Sequence, residues 1–565
     1  MKKSLVAVGV IVALGVVWTG ASWYMGSKIE SRLQQETERA NVQLAQLAKE
    51  NQLGIDVKLE VRDYKKGVFS SNANLAVVIT KISDPDSDQA SDNKPEEILM
   101  ATDIAHGPFP LSDLAKFNLA PKLAAVDSTL VNNETTKELF KLTKDKSIVG
   151  SHTSLGFDGS ASGEVTISAI DFAEDKDKVK TTPITIAFSS DKDATKIATS
   201  IKSDEMIITN RDTEVFTIKN INGTISGTKV NNDQYLFNEQ SLKLAEISHV
   251  SDDKASNFSL KDMSITTKSD IKDKLFYASQ SYDFKSLTIG GLEFGAGKLA
   301  YSIDKANTDA MLLLTKAYNN SLLPWNKYNY DSSDMIEQAV RDVLEKGLVF
   351  RIDDASLTNT KGTTKLNFAI DLNAFSIKDL DSVKDPAELF NKLFKNIKLN
   401  VDLSMPMLTE FRNTTQYLDA ARYQETALTD ADKAEIQKET TADIEKIKTE
   451  LQQNINQMSQ DEKNALPLML LSKDGNALNL SLDYAADKFT MNGKSYSFNE
   501  FMEVTQAPQM LGLIGMLIGA GSSYGDYDES DYSEYPEAES EEMTEDPAIL
   551  EEEEIVIPEQ PAQAQ

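Results

Sequence analysis

From about residue 54 to residue 304 the chain repeats one pattern: short runs in which apolar and polar residues alternate. In "EVFTIKNINGTISG", Val215, Thr217, Lys219 and Ile221 fall on one side, Phe216 and Ile218 on the other. A period of two is the period of a strand, and such a strand has one buried and one wet face. "PITIAFSS", "SLKLAEISHV" and "SLTIGGLEFGAGKLAYSID" repeat it, with clusters such as "DPDSDQASDNKP" and "NNDQ" between runs as turns or loops. Helical stretches are few, "TTKELFKLTKDK" being the clearest. The pattern therefore predicts antiparallel meanders with helices on one face, and not β-α-β units. A long sheet of this kind twists and curves into a trough.

Beyond residue 304 the chain is mixed. "SSDMIEQAVRDVLEKG" reads as a helix with Met335, Ile336, Val340, Val343 and Leu344 on one side and Gly347 as its stop. "LVFRIDDASLTN" and "TTKLNFAIDLNAF" are strands joined at "NTKGT", and a helix begins at Asp385 with Pro386 in its first turn. Residues 408–460 are helical, broken into a hairpin between Ala427 and Glu435. Closing strands turn at Lys473–Asn476 and at Asn492-Gly493. "MLGLIGMLIGAG" is too short to span a bilayer and reads as a buried or interfacial helix.

The N-terminus carries the strongest signal of location. Lys2 and Lys3 precede an almost uncharged run from Ser4 to Ser27, with Trp18, Trp23 and Tyr24 near its end. About 20 apolar residues span a hydrocarbon core, and the lysines favour a cytoplasmic N-terminus. A retained anchor in a bacterial inner membrane is expected, with the body in the periplasm. The competing reading is a signal peptide cleaved after Ala21, which has small residues at the right positions. "KIESRLQQETERANVQLAQLAKE" follows as a juxtamembrane helix, its loose stripe running through Ile29, Leu33, Val42, Leu44 and Leu47.

The expected class is thus α+β. A membrane anchor (1–27) and a juxtamembrane helix (28–53) lead into a large, mainly antiparallel sheet body (54–520) with helices packed on it. The body is either one unit or two subdomains of about 54–304 and 305–520. An acidic tail (521–565) closes the chain. From Gly521 to Gln565 there are sixteen Asp or Glu and no Lys or Arg, about half of the net charge of −31. Such a tail cannot bury enough apolar surface to fold. No basic cluster serves nucleic acid. The chain has no cysteine, which excludes disulfides, thiol catalysis and thiolate metal sites.

Catalytic motifs are scarce. His106, His152 and His249 are the only histidines; none forms HExxH, and no G-x-S-x-G elbow or P-loop occurs. "GGLEFGAG" (290–297) lies among strands, where glycines allow a bulge rather than cradle phosphate. Asp353 and Asp354 are adjacent on a strand and so expected on opposite faces, unable to act as paired carboxylates. "DPDSDQASD" and "DYDESDYSE" lack EF-hand spacing. No cofactor is implied. The one catalytic candidate is His106 in "DIAHGPFP": it either serves a hydrolase or is fixed by the Gly107-Pro108 turn, with Phe109 pointing back into the core.

Four stretches in fixed order carry a resemblance: the N-terminal anchor, "YKKGVFSSNA" (64–73), "IAHGPFP" (104–110) and "KFTMNGKSY" (488–496). By these the chain resembles the YdgA-like family of bacterial membrane-anchored proteins. The resemblance implies an inner-membrane anchor and a large periplasmic domain, and supplies no catalytic residue. Tyr64, Gly67, Phe69, Ser70, His106, Gly107, Pro108, Asn492 and Gly493 are its motif residues, read as structural. Two functions are weighed. One is a non-enzymatic envelope module that binds a protein partner, a second copy of itself, or a lipid or other apolar ligand sheltered by the curved sheet. The other is a periplasmic hydrolase of envelope material that uses His106.

Overall fold

In the computed structural model the strands pair almost entirely in the order in which the chain makes them. The structure describes residues 37–42, 44–45, 55–81, 95–210, 214–231, 234–321, 330–376, 383–423, 428–460 and 470–505. The chain divides into two compact units, Met1–Leu513 and Ile514–Gln565, and the described residues all belong to the first. The expected anchor, the short apolar stretch after residue 508 and the acidic tail lie outside them. Among the described residues no helix is long and apolar enough to cross a membrane.

The meander begins with β1 (Ile55–Lys66), β2 (Ser70–Lys81), β3 (Glu96–His106), β4 (Ala124–Leu130), β5 (Val149–Leu155) and β6 (Ala161–Ile167), each antiparallel to the one before. A small hairpin, β7 (Asp171–Glu174) and β8 (Asp177–Thr181), leans on the side. β9 (Ile184–Ser190) takes the register from β6 and passes it on. Then come β10 (Lys196–Thr209), β11 (Val215–Lys229), β12 (Tyr235–Val250), β13 (Phe258–Lys272), β14 (Leu275–Ile289) and β15 (Leu292–Asn307). At roughly 3.3 Å per residue each of these six is about 50 Å long. β16 (Val349–Asn359), β17 (Gly362–Leu372), β18 (Phe394–Ser404), β19 (Leu470–Leu471), β20 (Ala477–Ala485), β21 (Lys488–Met491) and β22 (Lys494–Tyr496) close the same sheet.

The helices are α1 (Leu111–Ala115), α2 (Lys137–Leu142), α3 (Thr308–Ser321), α4 (Tyr330–Glu345), α5 (Pro386–Leu393), α6 (Met405–Tyr423), α7 (Asp430–Gln460) and α8 (Phe498–Thr505). Local chemistry sets their ends. Gly347, at φ 75°, stops the chain after α4 as only glycine does without strain. The Asp385 side chain accepts from the Ala387 N–H to cap α5.

Register makes the two faces of the sheet unlike each other. One row of facing residues runs Ile201–Gly223–Leu242–Ile265–Tyr282–Leu299–Ala355–Leu366–Val401–Leu480 across ten strands. The neighbouring row on the opposite face runs Lys202–Asn222–Lys243–Ser264–Asp283–Lys298–Ser356–Lys365–Asp402–Asn479. Towards β2 the row continues through Ile186, Val165, Ser151, Ser128, Thr102 and Ala73. The face is thus apolar along this row across β10–β20 and in the core of β1–β6, with Ser151, Ser128 and Thr102 between them. Four residues further along the central strands the same alternation brings Glu205, Lys219, Glu246 and Lys261 into register.

Cover differs along that face. Over β1–β6 it is sealed: Val57, Val77, Ile98, Met100 and Ile104 pack into a core with Phe140 of α2. The helical turn at residues 37–45 joins them, with Ala40 and Leu44 against the core and Asn41 bridging the N–H and carbonyl of Leu59; Val42 of the expected stripe points away, exposed. Further along, α3 and α4 cover only one end of the strands, over Phe276 and Ile303. At the other end α6 and α7 cover Leu403 and Leu478. Phe390 of α5 meets Tyr484, Phe489 and Phe498 at ring distances of 4.9, 5.4 and 5.5 Å, so the "KFTMNGKSY" stretch is core.

Candidate functional site

The motif residues fall into two structural devices. His106 ends β3, and its backbone N–H donates to the Phe69 carbonyl (2.8 Å). Its ring bridges the same turn: the Val68 carbonyl, 3.2 Å away, only accepts, so Nδ1 carries the proton. Nε2 then accepts from the Ser71 hydroxyl (2.9 Å), which in turn accepts from Tyr64 (3.1 Å). Gly67 N–H donates to the Ser70 carbonyl (2.8 Å), closing the turn. Gly107 must be glycine, because a Cβ there would lie 2.1 Å from the Lys122 carbonyl oxygen. The Gly107–Pro108 peptide is cis. Phe109 corrects the sequence reading: it stands half exposed instead of entering the core, because the turn directs it outward. In the closing motif, Asn492 and Gly493 both adopt positive φ (51° and 83°), the requirement of a tight two-residue hairpin.

His152, which the sequence marks only by its rarity, lies in a buried polar cluster on the opposite face. Nδ1 donates to Asp127 Oδ1 at 2.7 Å and Nε2 to Asp113 Oδ1 at 3.0 Å. Ser154 also donates to that oxygen (2.7 Å). The hydrogen bond to Asp127, acting against burial, holds the imidazole pKa above its ordinary value. Burial opposes ionisation of Asp127, and the His152 hydrogen bond and charge outweigh it, keeping its carboxyl below the usual range. The His152 ring, held between two Asp side chains, therefore ties α1, which carries Asp113, to β4 and β5. Sequence separations of 25 and 39 hid the set. His249 stacks on Phe258 at 5.9 Å.

Asp353 and Asp354 also require correction. A bulge between Ile352 and Ala355 shifts the register against β17, so the two adjacent carboxylates turn to one face instead of opposite faces. There each has its own partners. Asp353 accepts from Ser302 (2.9 Å) and approaches Arg351, and Asp354 lies 3.6 Å from Lys298 and 3.7 Å from Lys365. "GGLEFGAG" makes a hairpin turn at Gly290-Gly291 and an irregular ladder at Gly295, φ 106°, as its glycines suggest.

Two surfaces can hold something larger. A groove of about 770 Å³ crosses the polar face beside Asn222, Lys243, Ser264, Asp283 and Lys298. It follows a crease where Asn220 and Asp262, both at positive φ, interrupt the ladders. Two of its lysines are paired within the sheet, Lys285 with Asp262 (3.4 Å) and Lys298 with Asp354 (3.6 Å). The other surface is the apolar face between the two helix-covered strand ends. Leu242, Ile265, Tyr282 and Leu366 are only half-buried there, and Leu299, Ile225 and Leu357 are exposed by 40–45%. Leaving a registered row of aliphatic side chains this open forgoes roughly 25 cal/mol for each Å² not buried.

The sheet and its motif turns fall in the part of the chain that is shared with a family of bacterial proteins. Residues 1–498 match the family model described as bacterial protein of unknown function (DUF945), and the chain belongs to that family. It is 28% identical to Protein YdgA of Escherichia coli K12 over 536 residues, covering 90% of this chain and 98% of that protein. It is 25% identical to the uncharacterized protein YihF of the same organism over 511 residues, 89% of this chain and 98% of the relative. No solved structure matches the chain.

Proposed function

We propose that the apolar face of β10–β20 binds elongated apolar ligands, acyl chains of lipids above all, and that the protein performs no chemistry on them. The observation that carries this reading is the ten-strand row from Ile201 to Leu480, apolar but for Gly223 and left open in its middle. Ten strands at about 4.8 Å spacing make a floor more than 40 Å across, longer than an extended acyl chain needs. The charged run on the reverse face keeps that side in water. Lys2, Lys3 and the apolar run Ser4–Ser27 support a protein anchored in the inner membrane with this body in the periplasm.

The test is lipid extraction from the purified full-length chain, read by mass spectrometry, beside Leu299→Asp and Leu357→Asp. Both positions are exposed enough to accept a charge without unfolding. Chain-bearing lipid retained by the parent and lost from both variants is the expected result. Equal retention in all three would overturn the reading. A dimer split by the same substitutions, with no change in lipid, would assign the face to a second copy instead.

The hydrolase reading meets an obstacle in its own candidate. Ser71 does lie within reach of His106, but it is only 2% exposed and accepts from Tyr64. A nucleophile needs access to its substrate, so the pair serves better as a brace for the turn. Labelling of Ser71 by a fluorophosphonate probe would reverse this assignment.

A further inference from the structure

The turns at one edge of β1–β6 carry a set of bulky apolar side chains that stand outside the core formed there by the described residues. β1 meets β2 through Lys66 and Ser71, β3 meets β4 through His106 and Ala124, and Leu155 faces both Ala124 and Ala161. The connections at 67–69, 107–123 and 156–160 therefore project from the same edge. On them stand Val68 (84% exposed), Phe69 (76%), Leu111 (68%), Phe117 (90%) and Leu119 (70%), with Phe109 and Phe157 half exposed. Single exposed apolar residues are ordinary, but a cluster of seven on one edge marks an interaction surface.

These side chains are held out rather than left loose. His106 and Ser71 lock the turn bearing Val68 and Phe69. Lys122 N–H donates to the Pro108 carbonyl (2.9 Å), securing the next turn. The His152 cluster pins α1, which begins at Leu111 and is followed two residues after its end by Phe117, through Asp113.

Charge identifies the occupant. The chain carries −31 in total, yet Lys65, Lys66, Lys116 and Lys122 flank these turns. Against these four lysines the connections and their two flanking residues on each side carry two carboxyl groups, Asp158 and the buried Asp113, while Glu164, further along its strand, pairs with Lys116 at 3.4 Å. Protruding aromatic and aliphatic side chains ringed by lysine are complementary to the interface of an anionic bilayer. Chain length permits it: the 27 residues from 28 to 54 can reach at most about 90 Å, more than the roughly 40 Å over which β1 runs to this edge.

We infer that this edge docks into an anionic lipid bilayer, with Phe69, Phe117 and their neighbours entering the headgroup–acyl boundary. The inference stands independently of the acyl-chain reading. The chain has no cysteine, so single labels are clean: Phe69→Cys, Phe117→Cys, and Lys361→Cys in the β16–β17 turn at the opposite edge. Full-length protein carrying an environment-sensitive fluorophore at each site is reconstituted into nanodiscs of anionic or zwitterionic phospholipid with brominated acyl chains. Labels at 69 and 117 should shift to the blue and lose emission to the bromines, more strongly in anionic lipid, while the label at 361 does neither. No quenching at 69 and 117, or equal quenching at 361, would overturn the inference. A blue shift that grows with protein concentration without bromine quenching would overturn it too, and assign the edge to a second copy.

Discussion

Strands β1–β6 and β10–β18 share one apolar face and one register, yet the first stretch is sealed and the second is open. Ile98 has no exposed surface, whereas Leu299, on the same side of the same sheet, keeps 40% of its own. Composition does not separate them; cover does. Over the first stretch α2 and the turn at 37–45 close the face, and over the second α3, α4, α6 and α7 reach only the strand ends. The apolar surface of β1–β6 is spent on stability, and that of the central strands is kept for something else.

The largest effect should come from the polar side of the sealed region. Replacing His152 by Leu removes the ring from between Asp127 and the buried Asp113, which should cost about 3–5 kcal/mol by denaturant unfolding near pH 6. The pH dependence has a definite sign. The His152 pKa is raised on folding, so its contribution is complete below the ordinary histidine value of about 6.5 and fades as pH rises through the raised value. Asp127 is shifted downward, so its contribution holds above the ordinary value of about 3.9 and fades as pH falls through the lowered one. The parent should lose stability at both ends of this window, and H152L should show neither step.

Next, Ile98→Ala should cost about 2–5 kcal/mol, the range for emptying a packed core site, while Leu299→Ala costs less than about 1 kcal/mol. Equal costs would erase the distinction between the regions. For binding the order reverses. Leu299→Asp should weaken a fluorescent fatty-acid probe by about tenfold, the equivalent of one apolar side chain withdrawn from contact, and Ile98→Val should leave it unchanged. The smallest effect belongs to His106. Its replacement by Ala removes two hydrogen bonds at a turn and should cost about 1–2 kcal/mol, with probe binding intact.

Much of this comparison was legible in the alternation of residues such as Val215 to Ile221, which fixes which side chains share a face. Helix ends were legible as well, since Asp385, Pro386 and Gly347 act locally. Cover was not, because it comes from far along the chain: α4 reaches back to seal Phe276, and nothing near Leu299 says that no described helix reaches it. The His152 cluster was hidden for the same reason, its partners sitting on β4 and α1. Asp353 and Asp354 were misjudged because one bulge overturns strict alternation. Phe109 was misplaced by assigning a phenylalanine to the core by type; the juxtaposition of lysine and bulky apolar residues in "KKGVF" and "AKFNL" was the signal for an exposed edge.

The central claim is that one face of the middle sheet meets acyl chains and the other meets water. A photo-crosslinking residue placed in turn at 298, 299, 300, 301, 302 and 303 of β15, in full-length protein in cells, tests it most directly. Lipid adducts are predicted at Leu299 and Tyr301, and absent at Lys298, Ala300 and Ser302 on the other face and at Ile303, which α3 and α4 cover. Adducts at all six positions, or at none, would contradict it.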